Sequence, residues 1–191
     1  ESSSAKYYGE IAQRLNQCMD KAFWSEEEAA YSSFLTNGSL HHLCELTQSL
    51  FACCGACPPD KLPVILKAIS DKRLLPITLS CSIFKYEALL QLPDLYEQQV
   101  FEEIAEVWGN MLFKGATTFW ETDKGAQDFE RAGSLCHGWS AIPSYIYFRY
   151  GLGIRVTSPG FASYGIAPAK KGIRNCRGVI KTPGDTLTIG F

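Results

Sequence analysis

The stretch VFEEIAEVWGNML (100–112) carries the clearest periodic pattern in the sequence. Its apolar side chains recur at intervals of three or four residues, and they are Val100, Phe101, Ile104, Val107, Trp108, Met111 and Leu112. That spacing places them on one face of an α-helix, which repeats about every 3.6 residues. The stretch therefore predicts an amphipathic helix whose apolar face packs against other helices.

Similar stripes lie on both sides of this stretch. Five more have helical spacing, at about residues 8–24, 40–54, 60–69, 82–92 and 135–150. Together they predict six main helices between about residues 5 and 152, arranged as antiparallel pairs. No fixed-period repeat is visible, and the helical pattern alone leaves two architectures open: an array of helical repeats, or half of a twelve-helix α/α barrel.

The pattern changes after Gly153. Gly, Pro, Thr and Val become frequent, and short alternating runs predict strands near residues 161–166, 176–181 and 186–191. We therefore predict a helical domain over residues 1–152 and an incomplete antiparallel β segment over residues 153–191. The sequence starts at Glu1 rather than Met, and Phe191 falls inside the last alternating run, so we expect a longer polypeptide.

The composition argues against several classes of function. Over 191 residues, 18 Lys and Arg against 20 Asp and Glu give a net charge of −2, which provides no basic surface for nucleic acid or anionic lipid. No run approaches the roughly 20 apolar residues that a membrane helix needs. With 13% aromatic and 20% charged residues, the chain has the composition of a packed core rather than of a disordered segment.

The eight cysteines need their own interpretation. Most lie at apolar positions of the helical stripes, where a free thiol acts as a small hydrophobe, and we expect Cys18, Cys44 and Cys81 to be buried. Cys54 and Cys57 form a C-x-x-C pair, but it ends a helix before two prolines and has no second pair to complete a metal site. We expect no metal and no more than an adventitious disulfide; the alternative is a redox or metal protein built on this segment. Free thiols favour a reducing compartment such as the cytoplasm, with the periplasm or the exterior left open.

The connection between the fifth and sixth predicted helices, residues 114–140, is the least ordinary part of the sequence. Long ordered loops in compact domains are usually functional. In this loop Glu121 follows Trp120, and His137 precedes Trp139 by two positions. Carboxylates transfer protons and aromatic faces pack on sugar rings, so the loop predicts a sugar-processing site. The alternative is that both indoles belong to the core and the carboxylate caps a turn.

Two segments of this region are the most specific, GATTFWE (115–121) and GSLCHGWSAIPSYIYFRYGLGI (133–154). They resemble the end of the six-hairpin α/α barrel of bacterial α-L-rhamnosidases. The likeness extends backward through EVWGNMLFKGATTFWE (106–121) and, more loosely, through AFWSEEEAAYSS (22–33). It extends forward through PGF (159–161) and IAP (166–168), which resemble the start of the β-sandwich that follows that barrel.

The resemblance implies a mainly α fold, a partial (α/α)6 barrel of about three helical hairpins, followed by a small antiparallel β appendage. It implies an inverting glycoside hydrolase acting on α-L-rhamnosides without a cofactor or metal. Glu121 matches the general base and His137 matches a histidine that contacts the sugar, with Trp120 and Trp139 as further substrate-binding residues. The general acid comes in this family from an early motif rich in Asp, Cys, Pro and Arg, which we do not find in this span.

Half a barrel does not enclose a sugar, so we expect this span to be inactive alone and to leave an apolar face open. Large apolar patches promote association, which predicts a homodimer through the open side. Two alternatives stay open at this point: another six-hairpin carbohydrate-active enzyme, and a non-catalytic helical interaction module. The second of these predicts an exposed, unpaired Glu121, with Trp120 and Trp139 both in the core.

Overall fold

Six α-helices provide most of the regular structure in the computed structural model, which describes residues 3–191. The helices are α1 (Ser3–Phe23), α2 (Glu45–Cys53), α3 (Leu62–Ser70), α4 (Ser82–Leu89), α5 (Pro93–Phe113) and α6 (Ile142–Ile146). The strands are β1 (Trp24–Ser25), β2 (Ala30–Tyr31), β3 (Phe34–Thr36), β4 (Ser39–His41), β5 (Ile154–Val156), β6 (Tyr164–Ile166), β7 (Arg177–Lys181) and β8 (Thr186–Gly190). Each odd-numbered strand pairs antiparallel with the next. The predicted fold class, mainly α with a small antiparallel β appendage, is confirmed.

The chain divides into two compact units, one ending at Gln91 and the other spanning Leu92–Phe191. After Gly153 the regular structure of the described residues is β5–β8 and one 3₁₀ turn at Pro159–Phe161, as the change of pattern predicts. The division into domains at residues 152 and 153 stays a prediction, because the compact units divide at a different place.

The first unit contains two hairpins that the helical pattern did not predict. In the second of them, Leu35 lies opposite Leu40, and the connecting Asn37 and Gly38 have left-handed φ angles of 51° and 79°. Asn-Gly is the preferred dipeptide of the tightest hairpin turns, because both of its residues tolerate positive φ. The helix predicted over residues 40–54 therefore begins only at Glu45, since the residues before it pair with β3.

The core of the first unit forms where α2 packs against α3 and α4. Tyr31 is fully buried, and its ring stacks on Phe51 with 3.7 Å between the ring centroids. The side chain of Gln48 accepts a hydrogen bond from the Tyr31 amide at 2.8 Å and donates one to the Tyr31 carbonyl at 2.7 Å. The buried glutamine thus pairs with the end of β2 as a neighbouring strand would, and it fixes the first hairpin on α2.

Helix α1 contributes no buried residue, so its apolar stripe is open. Tyr7, Tyr8 and Leu15 are all more than half exposed. The predicted burial of Cys18 is wrong, because this thiol lies on the same exposed helix. We expect an open apolar face on a partial barrel, because the helices that would cover it are missing. Dimerisation through this face stays a prediction.

All eight cysteines are free thiols. Cys54 caps the C-terminal end of α2, and Cys57 lies just beyond it, as predicted. Cys44 and Cys81 are half-buried rather than buried. Across residues 3–191 no three His, Cys, Asp or Glu side chains are grouped closely enough to hold a metal ion. Within the same range no helix combines the length and the apolar character needed to cross a membrane.

Cys57 is expected to lower the stability of the first unit as the pH becomes alkaline. Burial raises the pKa of its thiol from 9.0 to about 11. An unfolded chain ionises this thiol at lower pH than the folded chain does, so the stability that the protonated thiol contributes is fully present below pH 9 and is lost as the pH rises toward 11. In urea unfolding, we expect Cys57→Ala to lose less stability than the wild type over this pH window. Cys18→Ala, at an exposed thiol, should retain the wild-type slope, and equal slopes in all three proteins would contradict the assignment.

The second unit is built on α5, whose buried stripe includes Val100, Phe101, Ile104, Trp108 and Met111, as predicted. Two more residues predicted on this face differ, since Val107 is half-buried and Leu112, near the end of the helix, is 70% exposed. The helix predicted over residues 135–150 is much shorter, with α6 covering Ile142–Ile146 and a π-helical turn following at Tyr147–Gly151. Over residues 135–141, before α6, only Gly138–Ser140 form a short 3₁₀ turn. Residues 134–137 are not helical, because their main chain bonds to segment 118–121 instead.

The β appendage is held against the start of α5 by a buried carboxylate. Glu97 accepts hydrogen bonds from the main-chain amides of Lys170 and Lys171, at 2.8 and 2.9 Å. A Cβ added at the next residue, Gly172, would lie 3.0 Å from the main chain of Gln98. The turn before β7 therefore sits tightly on α5, while Leu152, Ile154 and Ile189 form a small apolar core among the strands.

Candidate functional site

The two ends of the loop 114–140 are joined by main-chain hydrogen bonds. The His137 amide donates to the Phe119 carbonyl at 2.7 Å, and the Glu121 amide donates to the Ser134 carbonyl at 2.9 Å. The Thr118 hydroxyl donates to the Leu135 carbonyl beside them. The segment 118–121 therefore runs alongside 134–137, so the two ends of the loop converge.

Glu121 is fixed at this junction through its side chain as well. Its carboxylate oxygen Oε2 accepts a hydrogen bond from the Ser134 amide at 3.1 Å, and the residue is half-buried. Ser134 thus holds Glu121 at two points, one on the main chain and one on the carboxylate. An oriented, partly desolvated carboxylate is suited to accept a proton from a bound water.

The two tryptophans have opposite environments. Trp120 is only 9% exposed, and its ring lies against Gly125, where an added Cβ would be 2.6 Å from Cε3. Trp139 is 75% exposed, and its ring centroid lies 6.2 Å from that of His137 at an angle of 74°. Of the two, only Trp139 offers a ring face to a ligand, because the ring of Trp120 is inside the loop.

Helix α5 anchors the far end of the loop. The buried indole Nε1 of Trp108 donates to the Ser140 carbonyl at 2.9 Å, next to Trp139. Nearer the start, the Lys114 ammonium donates to the Asp123 carbonyl at 2.9 Å. The first bond fixes the far end of the loop on α5, and the second fixes Asp123 on the residue that directly follows this helix, which is how a scaffold holds a functional loop in place.

The tip of the loop has an unusual main chain. Phe129, Glu130 and Arg131 have φ angles of 48°, 57° and 75°, in the left-handed region that non-glycine residues rarely adopt. Asp128 stabilises the turn, because its carboxylate accepts the Phe129 amide at 3.0 Å and its carbonyl accepts the amides of Ala132 and Gly133. Strain of this kind clusters at functional sites, where the surroundings hold it in place.

A groove of about 480 Å³ lies beside the converging ends. It is mostly apolar and is lined by α5, by the start of the loop at Thr117, Thr118 and Phe119, and by Pro143 and Tyr147. The groove shares Phe119 with the junction, since the carbonyl of this residue accepts the His137 amide. An apolar groove with a few polar groups at one edge is the usual form of a small-molecule site.

No family model matches the chain, and no curated protein does. Solved structures match it closely. The GH78 family rhamnosidase of Bacillus sp. GL1 superposes on 97% of this chain with a TM-score of 0.85 and 25% identity. The α-L-rhamnosidase of Dictyoglumus thermophilum superposes on 97% with a TM-score of 0.78 and 21% identity. A Klebsiella oxytoca rhamnosidase, solved with rhamnose bound, superposes on 75% with a TM-score of 0.62 and 24% identity.

The chain has the fold of part of an α-L-rhamnosidase. The resemblance that the sequence motifs indicate is thereby confirmed. The chain covers 20%, 21% and 28% of the Bacillus, Dictyoglumus and Klebsiella proteins, so it spans about a fifth to a quarter of a rhamnosidase. Glycoside hydrolases are thus the class of enzyme to which its structure relates.

Sequence reasoning about this rhamnosidase fold missed two parts of the site. Ser134, which holds Glu121, gives no signal, because it acts through its main-chain amide and any residue except proline has that donor. The groove is also invisible in the sequence, since its lining comes from three separate segments. Gly125 and Gly133 pack closely on their neighbours in the structure. Their being glycine is the one sequence feature of this loop that could have indicated tight main-chain packing.

Proposed function

We propose that this chain supplies the general-base part of the active site of an inverting glycoside hydrolase that acts on α-L-rhamnosides. The observation that carries the proposal is the junction at which Ser134 orients the carboxylate of Glu121. At the same junction the His137 amide bonds to Phe119, and the ring of His137 lies beside the exposed Trp139. The rhamnosidase fold of the chain supports the choice of substrate class. The chain covers only part of such an enzyme, so the activity belongs to a longer protein and this span alone is inactive.

In the proposed reaction Glu121 accepts a proton from a water molecule as the water oxygen forms a bond to the anomeric carbon. The bond between that carbon and the leaving oxygen breaks on the opposite face, and a general acid outside this span protonates the leaving oxygen. Oε2 already accepts the Ser134 amide, so Oε1 is the oxygen that takes the proton. No cofactor or metal takes part in this scheme.

Two neighbouring side chains bind the sugar in this proposal. Trp139 offers its exposed indole face to the apolar face of the ring, and His137 donates or accepts a hydrogen bond at a sugar hydroxyl. Trp120, the other aromatic residue of the motif, has its ring inside the loop and does not stack on the sugar. The partner is therefore a rhamnose-containing glycoside, and a second copy of the chain on the open face of α1 is a further proposed partner.

The non-catalytic module explains the site less well. It requires an exposed, unpaired Glu121 and two core indoles, whereas Glu121 is half-buried and hydrogen-bonded and Trp139 is exposed. A different six-hairpin hydrolase would use the same residues. Hydrolysis rates on a panel of aryl α-L-rhamnosides, β-D-glucosides and α-L-fucosides separate that alternative from the proposal.

Proton NMR of the first sugar released from an aryl α-L-rhamnoside by the full-length protein tests the stereochemistry. Inversion predicts the β-anomer as the initial product, because water attacks from the face opposite the leaving group. Initial release of the α-anomer would contradict a general base at Glu121.

His137→Ala in the full-length protein is expected to raise KM and lower kcat together. The reason is that a side chain holding the sugar contributes to the ground state and contributes more strongly to the transition state, so its loss raises KM and also lowers kcat. Initial-rate kinetics on the same aryl rhamnoside measure both constants. His41→Ala, at an exposed histidine of the first unit, is the matched control and should change neither. Unchanged kinetics in His137→Ala would remove this residue from the site.

A further inference from the structure

We infer that Gly133 and Trp120 are positioning residues for Glu121, and that Trp120 acts from inside the loop through Gly125. The inference rests on the proposed role of Glu121 as a base. It concerns two residues that need not touch the sugar. Each acts on the carboxylate through a short path of packed main-chain atoms.

The first step in the path is the double contact between Ser134 and Glu121. The Ser134 amide donates to Oε2 at 3.1 Å, and its carbonyl accepts the Glu121 amide at 2.9 Å. Both bonds come from the main chain of a single residue. Any shift of that residue therefore moves the carboxylate and weakens the bond that orients it.

The second step is the close packing of Gly133 on Gly125. A Cβ added at Gly133 would overlap the carbonyl oxygen of Gly125 and would lie 3.4 Å from Cβ of Asp128. The Gly133 amide also donates to the Asp128 carbonyl at 3.0 Å, so the residue is held from both sides. The missing side chain is thus what allows Ser134 to come within hydrogen-bond distance of Glu121.

The third step is the support that Trp120 gives to Gly125 from the other side. Gly125 is buried with a φ of 57°, and an added Cβ would lie 2.6 Å from Cε3 and 2.8 Å from Cζ3 of the indole. The six-membered ring of Trp120 therefore fills the space on which this turn rests. Trp120 directly precedes Glu121 in the chain. The same indole therefore supports Glu121 and also the turn at Gly125 that positions Ser134, the hydrogen-bond partner of Glu121.

Gly133→Ala in the full-length protein tests the inference. We expect kcat to fall about tenfold or more with KM within about twofold of wild type, because small displacements of a catalytic group lower the rate more than they lower binding. Gly165→Ala on β6, where an added Cβ meets nothing within 4 Å, is the matched control.

A pair of tryptophan variants keeps the test decisive if Gly133→Ala does not fold, as judged by circular dichroism. Trp120→Phe removes the ring atoms that rest on Gly125 and should lower kcat with little change in KM. Trp139→Ala removes the proposed platform and should raise KM. A folded Gly133→Ala with wild-type kcat, or a Trp120→Phe that mainly raises KM, would overturn the inference. If Glu121→Gln itself retains turnover, the proposed function fails instead, so the two failures are distinguishable.

Discussion

Glu121→Gln in the full-length protein is expected to lower kcat by about 10²–10⁴-fold, with little change in KM. The amide has nearly the shape of the carboxylate, and its side-chain oxygen can still accept the Ser134 amide that Oε2 accepts at 3.1 Å. It cannot take a proton from water at neutral pH. The substitution therefore removes the proposed chemistry while leaving the junction and the sugar contacts in place.

Initial-rate kinetics on an aryl α-L-rhamnoside measure this effect. Glu130→Gln is a matched control, because it makes the same change at an exposed position of the same loop. We expect that variant to retain the wild-type kcat. Added azide offers a second measurement, since a small anion that needs no base can replace water as the nucleophile. Near-normal turnover in Glu121→Gln would show that another group activates the water.

The parts of the fold that the sequence predicted best are those where one physical effect dominates. Helix α5 is an example, because its apolar face is regular and long, and five of the seven predicted residues are buried on it. The strands at the end of the chain are another, since their alternation begins after a clear change in composition. The hairpin at Asn37 and Gly38 was missed because a few apolar residues at helical spacing outweighed a short turn signal.

The candidate site shows where the sequence stops being informative. Trp120 and Trp139 look alike in the sequence, since each lies within two positions of a residue that carries chemistry, Glu121 and His137. They differ because Gly125 folds back onto the ring of Trp120, a contact between segments that no local pattern encodes. The same holds for the short helix α6, because its expected first turns bond to segment 118–121 instead. Tertiary contacts decided these cases, as they commonly do over local propensity.

The second large effect is expected from the buried ion pair between α2 and α4. The ammonium of Lys85 lies 3.2 Å from Oε1 of Glu45, and the two side chains are only 6% and 3% exposed. Oε2 of the same carboxylate accepts the Ile77 amide at 3.0 Å. Lys85→Met retains most of the apolar stem but leaves a buried carboxylate without its cation, which costs about 3–5 kcal/mol. We expect the free energy of unfolding of the first unit to fall by about that amount.

The matched control is Lys67→Met, which makes the same substitution in α3. The ammonium of Lys67 lies closer to its partner Asp71, at 2.6 Å, yet the two side chains are 70% and 47% exposed. An exposed pair contributes about 0–1 kcal/mol, so the shorter distance should give the smaller effect. Urea unfolding and hydrogen exchange of the α2 amides measure both variants.

Adding Glu45→Gln to Lys85→Met should recover part of the loss, because the neutral amide still accepts the Ile77 amide and no buried charge is left unpaired. Equal effects in the two lysine variants would mean that burial does not set the strength of this pair.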